Sequence, residues 1–265
     1  MIPLDETNGL IEWVPNTVGF RPSILKKYKA MKWVTPAARM KEFQHAQPGQ
    51  HMRLFKALEQ DYPSVFYEFF LDHFPDPTAW FNARLAYQRT LAVMSMVGYV
   101  IGLGDRHGEN ILFDTTTGDA VHVDFNCLFE KGATFEIPER VPFRMTRNLR
   151  DALGVCGVEG VFRRCCEVTM NILRTNQELL LNVLETFLHD PSVEWSERQN
   201  RVLHDHSRRI QLAQKSHHTI ARKLSGRLSA QGAILSVEGQ VDELIRMAIN
   251  PELLCLMYIG WSPFL

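Results

Sequence analysis

Apolar residues 91–103 form an almost unbroken run, and a dense polar loop follows: Gly104-Asp105-Arg106-His107-Gly108-Glu109-Asn110. Apolarity then returns in two short stretches. Ile111, Leu112 and Phe113 read as a buried strand, and in residues 121–125 Val121, Val123 and Phe125 alternate with His122 and Asp124. Residues 115–119, with Gly118 inside, supply turn chemistry between them. The pattern predicts an antiparallel hairpin whose open end carries Asn110 entering one strand and Asp124 leaving the other.

Elsewhere the same reading predicts a strand at residues 2–4 and another at 10–14, joined through Asn8-Gly9. Helices are expected at residues 23–31, 37–44, 51–60 and 64–73, the last rich in phenylalanine and core-facing. Asp76 can cap a long helix that starts with Pro77 and runs to about residue 103. Amphipathic helices are expected at residues 158–174 and 178–188. The tail, residues 233–265, is apolar and aromatic toward its end, and docking on the body is the default expectation.

The chemistry of the open hairpin end is specific. An amide oxygen beside a carboxylate is a small set of hard oxygen donors, which suits a magnesium ion that keeps its waters and binds phosphates. Asp105 and His107 lie in the adjoining loop, so metal ligands and an acid–base pair come together, as phosphoryl transfer requires. Gly102, Gly104 and Gly108 do not form a dinucleotide fingerprint, because the spacing is wrong and they follow a helix. Residues 125–148 read as a long segment of mixed charge beside the site, either a substrate-binding loop or a plain connector.

Bulk properties narrow the field. At 265 residues the chain can bury a substantial core, and its net charge of -1 gives no global field that recruits nucleic acid or membrane. Five cysteines without paired spacing argue against a disulfide scaffold and for reduced thiols. No signal peptide is expected at the start, and the run 91–103 is too short to span a bilayer. Between residues 196 and 227 the charge turns basic, with Arg198, Arg201, Arg208, Arg209, Lys215, Arg222, Lys223 and Arg227 against Glu197 and Asp205. No aromatic residues interleave with these charges, so a solvated, mobile insert is expected rather than a nucleic-acid surface.

Taken together, Gly104-Asp105-Arg106-His107, Asn110 and Asp124-Phe125 resemble the catalytic and metal-binding loops of the phosphatidylinositol 3-kinase-related protein kinases. Residues 138–146 resemble the end of their activation loop. The tail, through Gly239-Gln240-Val241, Met257-Tyr258 and Gly260-Trp261, resembles their FATC segment. Within the family, residues 94–114 and 121–131 are most similar to the DNA-damage and replication-stress checkpoint kinases.

This resemblance implies an α+β, mostly helical fold: the C-terminal lobe of a protein-kinase-like (phosphatidylinositol 3-/4-kinase type) fold. It implies a lobe at 1–195 (catalytic loop 104–110, activation segment 124–147), a basic regulatory insert at 196–232 and a FATC-like tail at 233–265. Asp105 would orient or deprotonate the substrate hydroxyl, with His107 supporting that charge shift or acting as the base. Asn110 and Asp124 would hold magnesium, or manganese in its place, bridging the phosphates of ATP. Leu112 and Val123 match positions on the floor of the adenine pocket. Arg106 either contributes to the site or braces its loop.

The implied reaction moves the gamma-phosphoryl of ATP to serine or threonine followed by glutamine. Protein substrates and regulatory protein partners are implied, with DNA met only indirectly and no membrane, in the nucleus. No glycine-rich phosphate loop or strand lysine can be placed upstream. The family carries both in an N-terminal lobe, absent here, so the chain is expected to begin inside a larger domain and to have little activity alone. A phosphatidylinositol kinase and a noncatalytic interaction fragment are the alternatives.

Overall fold

The computed structural model describes residues 2–5, 8–33, 37–47, 49–188 and 206–265. The first elements are β1 (Ile2–Pro3) and β2 (Gly9–Leu10), an antiparallel pair. The expected second strand shortens to two residues, and Ile11 and Trp13 beyond it stand exposed. A short strand that the apolar pattern does not announce, β3 (Thr17–Gly19), follows and leads directly into α1 (Phe20–Ala30). Helix α1 starts three residues before the expected position because an orphan donor of its first turn, Arg21 N–H, finds the Gly108 carbonyl at 2.9 Å.

Helices α2 (Ala37–Gln44) and α3 (His51–Asp61) fall where the pattern puts them. Helix α4 (Tyr67–His73) starts later than expected. The Oδ1 of buried Asn148, far along the chain, accepts Val65 N–H at 2.8 Å and Phe66 N–H at 3.0 Å at the entry to this helix. Its phenylalanines enter the core, where the Phe66 and Phe113 rings sit 4.5 Å apart.

Helix α5 (Pro77–Ile101) is the central rod. Asp76 caps it by accepting Ala79 N–H at 3.5 Å, Pro77 opens its first turn, and Gly102 closes it in the left-handed conformation at φ 66°. It delivers the chain into the loop and then to β4 (Ile111–Asp114) and β5 (Ala120–His122). The sheet order is β3-β4-β5, antiparallel throughout. The hairpin turn is built as expected: Asp114 Oδ1 accepts the N–H groups of Thr116 and Thr117, and Gly118 takes φ 82°.

The remaining helices are α6 (Arg147–Ala152), α7 (Val161–Thr175), α8 (Gln177–Leu188), α9 (His206–Leu224), α10 (Val237–Ala248) and α11 (Pro251–Leu254). Helix α7 packs along α5. Part of the segment expected to be a basic insert, with Arg198 and Arg201 and the boundary at 195/196, lies outside the described residues. Its described part is not a solvated face. Helix α9 buries Ala213, Ile220 and Leu224, a stripe at helical spacing that the surrounding charges mask in sequence, and Lys223 is buried as well.

The tail docks on the body. Trp261, Phe264 and Leu265 are buried, and the Leu265 carbonyl accepts Thr146 Oγ1–H at 2.6 Å. No helix among the described residues is long and apolar enough to cross a membrane.

Candidate active site

The loop between α5 and β4 and the end of β5 meet around one guanidinium. Arg106 is 4% exposed, and every hydrogen bond it donates goes to a backbone carbonyl: Gly104 at 2.9 Å, Asn110 at 3.4 Å, Val123 at 2.7 Å, and Asp124. Of its two sequence readings, the brace is the one the structure shows. Burial pulls its pKa down while Asp105 and Asp124 push it back up, and the group stays charged.

The open end of the hairpin differs by one residue from the expected register. Ile111 faces His122, and Val123 N–H donates to the Asn110 carbonyl at 3.1 Å, so Asn110 lies across from Val123 rather than Asp124. Strand alternation puts Asn110, Leu112, Val121 and Val123 on one face of the sheet. Asp124 follows in the left-handed region at φ 60°, which ends the alternation, and Asp105 adopts φ 57°. Non-glycine residues are held in this region only at a cost, and such positions concentrate at functional sites.

Two oxygens are free for a cation. Asn110 is buried and its Nδ2 donates to the Asp105 carbonyl at 2.9 Å, which fixes the amide and leaves Oδ1 without a protein donor among the described residues. Asp124 Oδ1 accepts Asn126 N–H at 3.1 Å, and no protein donor reaches Oδ2 among the described residues. Among the described residues no three His, Cys, Asp or Glu side chains cluster as a metal cage. An ion held by this amide and this carboxylate would keep waters and phosphate oxygens as its other ligands, so the donor set fits magnesium.

Asp105 and His107, expected to form an acid–base pair, lie side by side. His107 Nε2 lies 3.9 Å from Asp105 Oδ2, and its Nδ1 lies 3.1 Å from Glu109 Oε2 and 3.2 Å from Glu109 N. Glu109, which the sequence reading left without a role, thus orients the imidazole, and Arg21 at the start of α1 approaches it at 3.4 Å. Asp105 and His107 are both solvent-accessible. Leu112 is 3% exposed on the sheet face it shares with Val123, and Val123 is half-buried.

Two further groups escaped the sequence reading. His122 is half-buried, but both its ring nitrogens are shielded from solvent and find no hydrogen-bond partner among the described residues; desolvation, helped by Arg106, lowers its pKa to about 3. Glu139, in the activation segment, accepts the Asp105 N–H with both carboxylate oxygens, at 3.0 and 3.1 Å. Burial pushes the Glu139 carboxyl from 4.5 up to about 7, against the pull of that hydrogen bond. No local pattern marks either residue, because both act across long sequence separations.

The sign of the Glu139 effect on stability follows. Between pH 4.5 and 7 the folded chain retains a proton that the unfolded chain has lost, so this group makes the fold less stable as pH rises through that window. Glu139→Gln removes the contribution. The stability of this variant relative to the unsubstituted chain should therefore rise between pH 5 and pH 8, read from urea midpoints. A difference that does not change with pH would show that the carboxyl is not held in this way.

A three-stranded sheet lies on a helical body, with Asp105 and His107 in the adjoining loop and Asn110 and Asp124 at the hairpin mouth. The family model described as phosphatidylinositol 3- and 4-kinase matches residues 1–197, and the FATC domain model matches residues 234–265. The chain belongs to the phosphatidylinositol 3- and 4-kinase family and carries a FATC domain.

Among individual proteins, it is 48% identical to the protein kinase rad3 of Schizosaccharomyces pombe, over 100% of this chain and 11% of that protein. It is 45% identical to the serine/threonine-protein kinase ATR of Arabidopsis thaliana, over 99% of this chain and 10% of that protein. The solved structure of the FAT and kinase domain of CtTel1 superposes with a TM-score of 0.82 at 33% identity, covering 96% of this chain and 18% of that one. The Tel1 kinase butterfly symmetric dimer gives 0.85 at 35% identity, over 99% and 11%. The chain thus spans about a tenth of the length of the curated relatives it matches. The mostly helical C-terminal-lobe fold expected from the sequence is the one observed.

Proposed function

We propose that this chain supplies the catalytic and metal-binding half of an ATP-dependent serine/threonine protein kinase of the checkpoint type, like rad3 and ATR. The observation that carries this reading is the convergence on Arg106 of the Asp105 loop, Asn110 and Asp124. Asp105 accepts or orients the proton of the substrate hydroxyl, with His107, itself oriented by Glu109, beside it. Asn110 Oδ1 and the Asp124 carboxylate would hold a magnesium ion, or manganese in its place, which would supply positive charge to offset that of the ATP phosphates. Leu112 and Val123, on the same sheet face as Asn110, form the floor against which adenine lies.

Protein rather than lipid substrates are favoured by where the activation-segment bases go. Arg144 is buried and bonded to carbonyls, Arg147 donates to the Tyr62 carbonyl, and Lys131 is 8% exposed. A cluster aimed at an inositol phosphate would need these charges free. Serine or threonine followed by glutamine, a DNA-damage role, regulatory protein partners and the nucleus rest on the likeness to the checkpoint kinases. The domain reading of 1–195, 196–232 and 233–265 rests on the same likeness.

With no glycine-rich phosphate loop or paired strand lysine legible among its 265 residues, the chain by itself should show little or no peptide phosphorylation. Placed in rad3 in exchange for the segment it matches, it should support magnesium-dependent phosphorylation of a Ser-Gln peptide. Robust peptide phosphorylation by the chain alone, lost on Asp124→Ala, would contradict the incomplete-site reading. Phosphoinositide phosphorylation by the chimaera without peptide phosphorylation would overturn the protein-kinase reading.

A further inference from the structure

Asp105 is held from behind as well as from its own loop. Its N–H cannot join a ladder at φ 57°, and it points instead at the carboxylate of Glu139, 34 residues later. That carboxylate sits in a seat made by two glycines. A Cβ on either Gly104 or Gly132 would drive into Glu139 Oε2. The Glu139 N–H donates to the Gly132 carbonyl at 3.1 Å, and Gly104 N–H donates to Cys127 at 2.8 Å, so the seat is stitched into the activation segment on both sides.

The seat borders a cavity of about 390 Å³ between the end of α5, the activation segment, α9 and α10. The charged groups around Glu139 are Asp105 and Arg106 on the catalytic loop, Glu130 and Arg140 on the activation segment, and Arg222 and Lys223 on α9. Lys223 is committed elsewhere, to Glu130 and to the Tyr99 carbonyl, and Arg222 donates to the Leu228 carbonyl. Cys127, pushed up to about 12 by burial, is neutral. Both oxygens of the Glu139 carboxylate accept the backbone N–H of Asp105.

We propose that Glu139 is a positioning residue: by gripping the Asp105 N–H it sets the angle at which the Asp105 carboxylate meets the substrate hydroxyl. The inference rests on the reading of Asp105 as the group that receives or orients that proton. It also gives the activation segment a direct mechanical connection to the catalytic residue. Any shift of residues 132–139 moves the seat, and the seat moves Asp105. A displacement of about 1 Å at a reacting group is enough to cost on the order of a hundredfold in rate.

The test uses the rad3 chimaera carrying this chain, with Glu139→Ala, Glu139→Gln and Asp105→Asn. Glu139→Ala should lower kcat by about tenfold or more while the KM for ATP stays within about twofold, because the nucleotide contacts are untouched. Glu139→Gln keeps an acceptor for the N–H and should restore most of the rate. In the 265-residue chain, the Asp105 amide proton should exchange about tenfold faster in Glu139→Ala and stay protected in Glu139→Gln.

Unchanged kcat in Glu139→Ala, with Asp105→Asn inactive, overturns the positioning role and leaves the reading of Asp105 standing. An active Asp105→Asn overturns that reading itself. If Glu139→Ala fails to fold, the glutamine variant decides. Near-parental kcat together with a protected Asp105 amide in Glu139→Gln supports the proposal, and a protected amide with kcat lowered about tenfold or more overturns it.

Discussion

Replacing Asp124 with alanine in the rad3 chimaera should slow phosphoryl transfer by roughly a thousandfold, the equivalent of about 4 kcal/mol of lost charge stabilisation by the metal. The fold should survive. Asp124 is exposed, its one side-chain hydrogen bond among the described residues is from the nearby Asn126 N–H, and the bond that ties it to Arg106 uses its carbonyl, which alanine keeps. The loss should therefore appear in the rate and its magnesium dependence, while the thermal midpoint shifts by no more than about 2 °C. Asn110→Ala mixes two effects, since Asn110 Nδ2 also holds the Asp105 carbonyl. Initial rates measured across a magnesium titration check the result. A variant retaining a tenth or so of the parent rate at saturating magnesium would remove Asp124 from the metal site.

The second large effect is on stability. Arg144→Ala should destabilise the chain by about 3 kcal/mol, a substantial share of what holds a domain folded. Arg144 is 2% exposed and ties three parts of the chain together. It donates to the Arg106 carbonyl of the catalytic loop at 3.3 Å, and to the Trp261 and Ser262 carbonyls of the tail at 2.6 and 2.9 Å. Its guanidinium also lies 4.1 Å from the Trp261 ring and 5.2 Å from Phe20.

Truncation strands three carbonyls, each costing about 1–3 kcal/mol when buried and unpaired, and forfeits the cation–π contacts. Against this, a buried cation without a carboxylate partner is removed, which returns part of its desolvation cost. Burial pulls the Arg144 pKa down to about 9, so the group is charged at neutral pH and the desolvation cost is present. Urea unfolding should show a lower midpoint with an unchanged slope. Limited proteolysis should cut first in the released tail, residues 255–265. A midpoint within experimental error of the parent would mean that the tail is held by its apolar side chains alone.

The contrast between these two residues shows what sequence made legible. The site acids stand in a local pattern: an apolar helix, a polar loop, and a hairpin with glycine in its turn. Asp76, Pro77 and Gly102 announce the long helix at both ends, and Asp114 with Gly118 announces the turn. Periodicity and capping are short-range rules, and they held here to within a few residues. Arg144, Glu139, Asn148 and Lys223 follow no such rule. Each is a polar side chain whose partners lie across the fold, so in sequence it reads as an ordinary surface residue.

The same limitation explains β3 and α9. Strand β3 is three residues long and exists because β4 offers it an edge. In α9 the buried stripe is diluted in sequence by Lys215, which is exposed, Arg222, which is half-buried, and Lys223, which is inside. The one-residue register offset at the hairpin mouth has a related cause, since alternation gives the facing of side chains but not the pairing.

All of this turns on whether one divalent ion is shared by Asn110 and Asp124. Anomalous diffraction from crystals of the chain soaked with manganese and ADP tests it directly. The expected result is a manganese peak within about 2.0–2.3 Å of both Asn110 Oδ1 and an Asp124 carboxylate oxygen, with phosphate oxygens and waters completing the shell. Manganese bound through ADP with either side chain turned away from it would contradict the account.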